Sequence, residues 1–294
     1  MNRGHKKFLA LSHVVLIFVT ILCILPFYLL IVASFTEEKY AVTNGFSLIP
    51  AHLSTDAYRY LLTKAYLFGR GYLITFIVTI CGTLACIFIT MAFSYMLSRP
   101  GLPFKGFFNF YVVFTMLFNG GLVSTYIMYT QTFHVKNTLW ALILPNLLTN
   151  AFYIIMVRNY FASNIPEELL EAARIDGCSE AGIFTRVVFP LSKPIIATVG
   201  LMVGVAYWND WQNGLYYIDN QKLYGIQNIL NAINENAKYL MTGGGSGAMQ
   251  MPANTSRMAA AVIGIIPILI IYPFFQDYFV KGITMGAVKG RFPD

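Results

Sequence analysis

From Ala10 to Ser34 the chain carries no Asp, Glu, Lys or Arg. An uncharged apolar run of about 20 residues is what an α-helix needs to cross the hydrocarbon core of a bilayer. Five further segments are apolar over a similar length: Tyr72–Leu97, Phe107–Met128, Leu139–Val157, and, each with a single aspartate, Pro194–Gly214 and Met258–Val280. Backbone exposed to lipid must satisfy its own hydrogen bonds, so each is expected to be helical. The expected fold is therefore all-α, a polytopic membrane protein with six transmembrane helices. Asn119-Gly120-Gly121 interrupts the outer half of the third segment.

Composition agrees. The chain is 57% hydrophobic and 11% charged, where a soluble domain carries about 25% charged residues. Its mean hydropathy is +0.61. The net charge of +7 is dispersed. Without a basic face or a reading motif it points to span-flanking residues rather than to nucleic acid. Cys23, Cys81, Cys86 and Cys178 form no CxxC pair, and His5, His13, His52 and His134 have no ligand spacing. Neither a disulfide framework nor a metal site is expected. Lys6 and Lys7 precede an apolar run too long for a signal-peptide core, with no clear cleavage site after it, so that run reads as a retained first span.

With the N-terminus inside, the inner segments hold Arg3, Lys6, Lys7, Arg99, Lys105, Arg158, Arg174, Arg186, Lys193, Lys281, Lys289 and Arg291. The outer segments, longer in total, hold fewer basic residues. This bias places both termini in the cytoplasm. It also makes the segment Arg158–Lys193 a cytoplasmic loop.

That loop carries helix punctuation. Asn164 or Ser163 can cap a helix with Pro166 at its first position, and Glu167 and Glu168 fall in the first turn, where the helix dipole favours negative charge. Gly177 suits a left-handed C-terminal cap. Leu169, Ala172, Ala173 and Asp176 share one face, mostly small. Ser179 can cap a second helix from Glu180 to about Val188, ended by Pro190. Such a loop serves equally as a connector packed on its own protein or as an element offered to a soluble partner.

Glu171-Ala172-Ala173, Gly177 and then Val187 to Leu191 resemble the coupling-loop signature of type I ABC importer permeases, with Phe189 where that family usually has leucine before Pro190. Asn119-Gly120-Gly121-Leu122-Val123, Asn137 to Pro145, Trp208-Asn209-Asp210-Trp211 and the tail Gly286 to Gly290 resemble the oligosaccharide branch, in particular the second permease of maltose-type systems and lipoprotein-dependent polysaccharide importers.

The resemblance implies a division of labour. The loop docks on a separate cytoplasmic ATPase, with Glu171, Ala172, Ala173, Asp176, Gly177 and Pro190 in the coupling element and Gly286, Lys289 and Gly290 reaching toward the same interface. The chain has no catalytic residues and no cofactor of its own, and no Gly-Lys-Ser/Thr phosphate-binding sequence occurs in it. ATP and magnesium belong to the ATPase. The implied partners are a second permease, two ATPase subunits, an extracytoplasmic solute-binding protein, an oligosaccharide and membrane lipid, in the cell membrane of a prokaryote. The domains follow: 1–71 for the N-terminal tip, first span and outer segment; 72–275 for the core permease domain, with the coupling loop at 158–193; and 276–294 for the cytoplasmic tail.

Polar and aromatic residues at membrane depth are candidates for the solute pathway: Asn119, Tyr126, Asn150, Tyr153, Tyr207, Trp208, Asn209 and Trp211. Aromatic faces and amide edges suit sugars, and Trp and Tyr also gather at membrane interfaces regardless of transport. Asp210 reads as a helix-end residue facing water. Gly200 and Gly204 permit close helix packing, within the subunit or against the second permease. The outer loop with Gly243, Gly244 and Gly245 is flexible by composition, and by resemblance it contacts the solute-binding protein. The alternative function, an ion-coupled secondary transporter, requires ionisable residues along the spans and internal repeats. Neither stands out.

Overall fold

The structure is a computed structural model and describes residues 3–50, 52–145, 147–241 and 253–287. In chain order its α-helices are α1 (Arg3–Ser34), α2 (Glu38–Asn44), α3 (Asp56–Thr63), α4 (Ala65–Ser98), α5 (Lys105–Leu117), α6 (Gly121–Ile127), α7 (Trp140–Ile143), α8 (Ala151–Asn164), α9 (Glu167–Ile175), α10 (Glu180–Ile183), α11 (Phe189–Leu191), α12 (Lys193–Asn209), α13 (Gln212–Tyr217), α14 (Ile226–Met241) and α15 (Ala253–Ala287). Among the described residues the extended structure is a lone bridge between Thr36 and Leu53. The fold is all-α, as the sequence implies.

Not every expected span is one unbroken helix among the described residues. Among the described residues, α1 from Leu11 to Ser34 and α4 are unbroken helices long and apolar enough to cross a membrane. Two further candidates are bent pairs: Lys105–Leu117 with Gly121–Thr132, at 112°, and Glu180–Leu191 with Lys193–Asn209, at 81°. A shorter apolar stretch runs from Asn254 to Ile270. The breaks have local causes. Gly121 takes φ +83°, a conformation costly for a residue with a Cβ, and its N–H donates to Asn119 Oδ1 at 2.8 Å. Pro145 follows α7, and helix does not resume until Asn150 Oδ1 accepts from Phe152 N–H at 2.8 Å and caps α8. Ser192 ends α11, its hydroxyl donating back to Val188 O at 2.6 Å.

Contacts group the chain into two units, residues 1–69 with 229–267, and 70–228 with 268–294. In the first, the Glu38 carboxylate serves the start of α15. Oε1 accepts from Asn254 N–H (2.9 Å) and Nδ2 (3.1 Å). Oε2 accepts from Thr255 N–H (2.8 Å) and hydroxyl (2.7 Å). A helix N-terminus leaves unpaired N–H groups and a partial positive charge, and a carboxylate from a distant segment answers both.

The second unit is built on α4 against α12. A Cβ at Gly82 would stand 2.4 Å from the Tyr207 ring, and one at Gly200 would stand 3.1 Å from Ile87 Cδ1. The Gly200/Gly204 pair therefore packs within the subunit, against α4. That close approach lets Tyr207, 2% exposed, reach across and donate to Ile143 O at 2.8 Å. Asn213 Nδ2 donates to Pro145 O at 3.1 Å. The carbonyls released where α7 breaks are thereby served from the fifth apolar segment.

Gly82→Val drives a branched side chain into the Tyr207 ring and is expected to destabilise the detergent-purified subunit by about 1–3 kcal/mol, the usual cost of overpacking. Thermal unfolding checks this, and an unchanged midpoint would contradict the packing described. Glu38→Ala is expected to cost about 0.5–2 kcal/mol, the range for loss of an N-cap, read as increased hydrogen exchange at the first turn of α15.

Candidate functional site

The loop between α8 and α12 is assembled from local rules. Pro166 stands at the N-cap of α9, with Glu167 and Glu168 in the first turn. The expected Asn164 or Ser163 cap is not made. Asn164 is still the last residue of α8, and its Nδ2 donates to Tyr160 O at 3.0 Å. At the other end Gly177 takes φ +77°, its N–H donates to Arg174 O at 3.0 Å, and Cys178 N–H donates to Ala173 O at 3.0 Å. These paired bonds form a Schellman motif, which reverses the chain out of α9. Ser179 then caps α10, its Oγ accepting from Gly182 N–H at 3.2 Å.

The second helix differs from expectation beyond Ile183. A π-helical turn covers Phe184–Val188, and helix continues through Phe189–Leu191. Pro190 does not stop it. It lies in the first turn of α11, where its missing N–H is no loss, and the bend falls at Ser192.

Leu170, Ile183 and Val188 anchor the loop in the core of the second unit, with Ala173 and Cys178 half-buried beside them. Glu171, Ala172, Asp176, Gly177 and Pro190 are exposed. Of the small face foreseen in the sequence, Ala173 turns inward while Leu169 and Ala172 face out. Sequence reasoning passed over Ile175, which is 86% exposed at the tip of α9. An apolar side chain that bare, beside a fixed elbow, is a signal the sequence does carry, as a hydrophobe in the last turn before Gly177.

It also passed over Glu180. Its Oε1 accepts from Arg174 Nε at 2.8 Å and its Oε2 from the Tyr95 hydroxyl at 2.7 Å. Arg99 Nη2 lies 3.8 Å from the same oxygen and donates to the Tyr95 hydroxyl at 3.0 Å. The Tyr95 hydrogen bond, then that of Arg174, holds the Glu180 carboxyl below its ordinary range.

The pathway candidates are not gathered into one cluster. Tyr207 and Trp208 are buried. Trp208 sits edge-on to Phe76 with centroids 5.2 Å apart and lines an apolar groove of about 380 Å³ with Thr83 and Gly204. Tyr126 stacks on Tyr217 at 5.7 Å, and Tyr153 is half-buried. Asn119, Asn150, Asn209 and Trp211 are exposed, the first two also committed to the N–H groups of Gly121 and Phe152. Asp210 does not simply face water. Half-buried at the end of α12, its Oδ1 accepts from Gln212 N–H at 3.1 Å and Asn213 N–H at 3.2 Å. Asn137 takes φ +59° and its Oδ1 accepts from Asp219 N–H at 2.6 Å and Asn220 N–H at 3.1 Å. Gly286 falls within α15. Lys289, Gly290, Gly243, Gly244 and Gly245 lie outside the described residues.

Comparison with known proteins decides what carries this loop. The profile of the binding-protein-dependent transport system inner membrane component family matches residues 87–285. The chain belongs to that family. It is a permease subunit of a type I ABC importer, not itself an enzyme, and a multi-pass protein of the inner membrane. The polygalacturonan/rhamnogalacturonan transport system permease protein YtcP of Bacillus subtilis is 39% identical over 94% of this chain and 96% of its own. Protein LplC of the same organism is 36% identical over 91% and 90%. A crystal structure of a bacterial ABC transporter involved in the import of the acidic polysaccharide alginate contains a chain 28% identical, with a TM-score of 0.79, covering 95% of this chain and 99% of that one. Membership implies a solute-binding protein, an ATPase and a second permease as partners of this permease, and nothing supports the ion-coupled alternative.

Two outcomes follow for the permease loop. Gly177→Ala is expected to cost about 1–2 kcal/mol, since a Cβ disfavours the left-handed conformation by that amount, read as faster proteolysis at the elbow. Because the folded carboxyl of Glu180 is depressed, its contribution is present above the ordinary carboxylate pKa and lost as pH falls through the folded value. Hydrogen exchange around residues 174–180 is expected to quicken only below that ordinary range, and Glu180→Gln is expected to remove the acid-dependent step.

Proposed function

We propose that this permease serves an importer of oligosaccharides containing uronic-acid units, and that α9 is the element an ATPase grips. Two permeases and two ATPase subunits form the translocator. The loop 158–193 and both termini face the cytoplasm, and a solute-binding protein delivers the sugar to the opposite face. ATP and magnesium are held by the ATPase.

The observation that carries the coupling reading is the division of α9 itself. Leu170 is buried at 4% exposure while Glu171, Ala172 and Asp176 face out, and the Gly177 elbow fixes the helix direction. A helix anchored on one side and bare on the other is open to a partner. Glu171 offers a carboxylate to basic or polar groups, Ala172 permits approach, and Ile175 supplies apolar area whose burial is worth about 1.5–3 kcal/mol. Pro190, Gly286, Lys289 and Gly290 belong to the same cytoplasmic side in this reading. Nucleotide and solute then bias the same two states from different places, which is allosteric coupling.

Two relatives support the substrate class. YtcP bears the name of a polygalacturonan/rhamnogalacturonan system, and the similar solved chain comes from an alginate importer; both names denote acidic polysaccharides. Along the route through the membrane, Tyr126, Tyr153 and Trp211 offer ring faces and Asn119, Asn150 and Asn209 offer amide edges, while Tyr207 and Trp208 are packed in protein. The loop containing Gly243, Gly244 and Gly245 meets the solute-binding protein.

In proteoliposomes holding the complete importer, Glu171→Lys is expected to leave insertion intact and to abolish solute-stimulated ATPase activity. Stimulation at the wild-type level would sink the docking role. Oligogalacturonides are expected to stimulate and be taken up where malto-oligosaccharides are not, and the reverse preference would refute the substrate class. A single cysteine introduced by Ala172→Cys, with the native cysteines replaced, is expected to react with an impermeant maleimide only in inverted vesicles.

A further inference from the structure

We propose that Glu180 is the joint through which the coupling loop moves the cytoplasmic end of α4. This inference rests on the docking of α9 put forward above and adds a transmission route that docking alone does not specify.

The loop has a covalent outlet into α12, through the bend at Ser192. Beside its continuity with α8 and the apolar anchors Leu170, Ile183 and Val188, it has a polar outlet, the Glu180 carboxylate. Glu180 is the first residue of α10, and its two oxygens take donors from two other helices: Arg174 in the last turn of α9, at 2.8 Å, and Tyr95 near the end of α4, at 2.7 Å. One side chain thus ties both arms of the Gly177 elbow to a 34-residue helix that makes the close contact with α12 at Gly82. Bridging the elbow keeps α9 and α10 moving as one piece. Bonding Tyr95 carries that movement to α4.

The joint has a wet side and a sheltered side. The Arg174 and Glu180 side chains are 42% and 57% exposed, and ion pairs that wet contribute little. The Arg99 side chain is 13% exposed and lies over the Tyr95 ring, 4.7 Å from the centroid. The guanidinium donates to the Tyr95 hydroxyl at 3.0 Å and lies 3.8 Å from the carboxylate, so it steadies the hydroxyl that Glu180 holds. Ring contact between Tyr95 and Phe184, centroids 5.4 Å apart, keeps the two helices in register while the polar bonds act. Glu180 is a positioning residue: it touches neither solute nor nucleotide.

The test uses the complete importer in proteoliposomes with its solute-binding protein, comparing Glu180→Gln, Tyr95→Phe, the double variant and Glu171→Lys. The readouts are the ratio of solute-stimulated to unstimulated ATPase rates, retention of the ATPase on affinity-purified permease, and the thermal midpoint of the complex. Glu180→Gln and Tyr95→Phe are each expected to lower the ratio within the range of about 5- to 150-fold typical of allosteric coupling, with the ATPase still bound and a loss larger than any fall in the midpoint accounts for. The double variant is expected to be no worse than the poorer single one, as for residues acting through one bond. A normal ratio in Glu180→Gln beside a lost ratio in Glu171→Lys overturns the joint and leaves the docking standing. A normal ratio in Glu171→Lys overturns both. A ratio that falls only in step with the midpoint assigns Glu180 to folding alone and overturns the joint.

Discussion

A carbonyl that leaves helical geometry inside packed protein has little water to turn to, and much of the second unit follows from how this chain meets that constraint. Helix ends at Ile143, just before Pro145, and does not resume until Ala151. The carbonyls of Ile143 and Pro145 are taken by Tyr207 and Asn213, both from the fifth apolar segment. For Tyr207 to arrive, α4 and α12 must nearly touch, and Gly82 makes that possible. One irregular stretch therefore dictates a tyrosine, an asparagine and a glycine far apart in sequence. Non-helical backbone at membrane depth survives only where protein satisfies it.

The loop answers a different demand, for stiffness at a point exposed to solvent. It is held by bonds that form within a few residues of each other. The Schellman pair at Gly177, the Ser179 cap and the proline at the head of α9 fix direction, while Leu170, Ile183 and Val188 fix position.

The same contrast explains what could be read beforehand. Gly177 as a left-handed cap, Ser179 as an N-cap and the interruption at Asn119-Gly120-Gly121 were legible because each rests on neighbours in sequence. The family resemblance was legible through the same short motifs. Asn164 misled because the connection to α9 is so short that this side chain still belongs to α8. Pro190 misled because proline ends a helix only when its N–H is needed, and a π-turn had already shifted the hydrogen-bonding register. The six rods were drawn from hydropathy, which reports what tolerates lipid and not where the backbone bends. The Glu180 network was out of reach for a simpler reason. Its partners Tyr95 and Arg99 lie some eighty residues upstream, and only folding brings them to the loop.

Ile175 has a cost before assembly begins. At 86% exposure it leaves a branched hydrocarbon standing in water at the tip of a rigid knuckle. If α9 is the ATPase's handle, an unpartnered subunit advertises its own incompleteness by that sticky spot, open to chaperones, proteases and stray aggregation alike. Synthesis of the permease in step with its ATPase would then be a matter of solubility as much as stoichiometry.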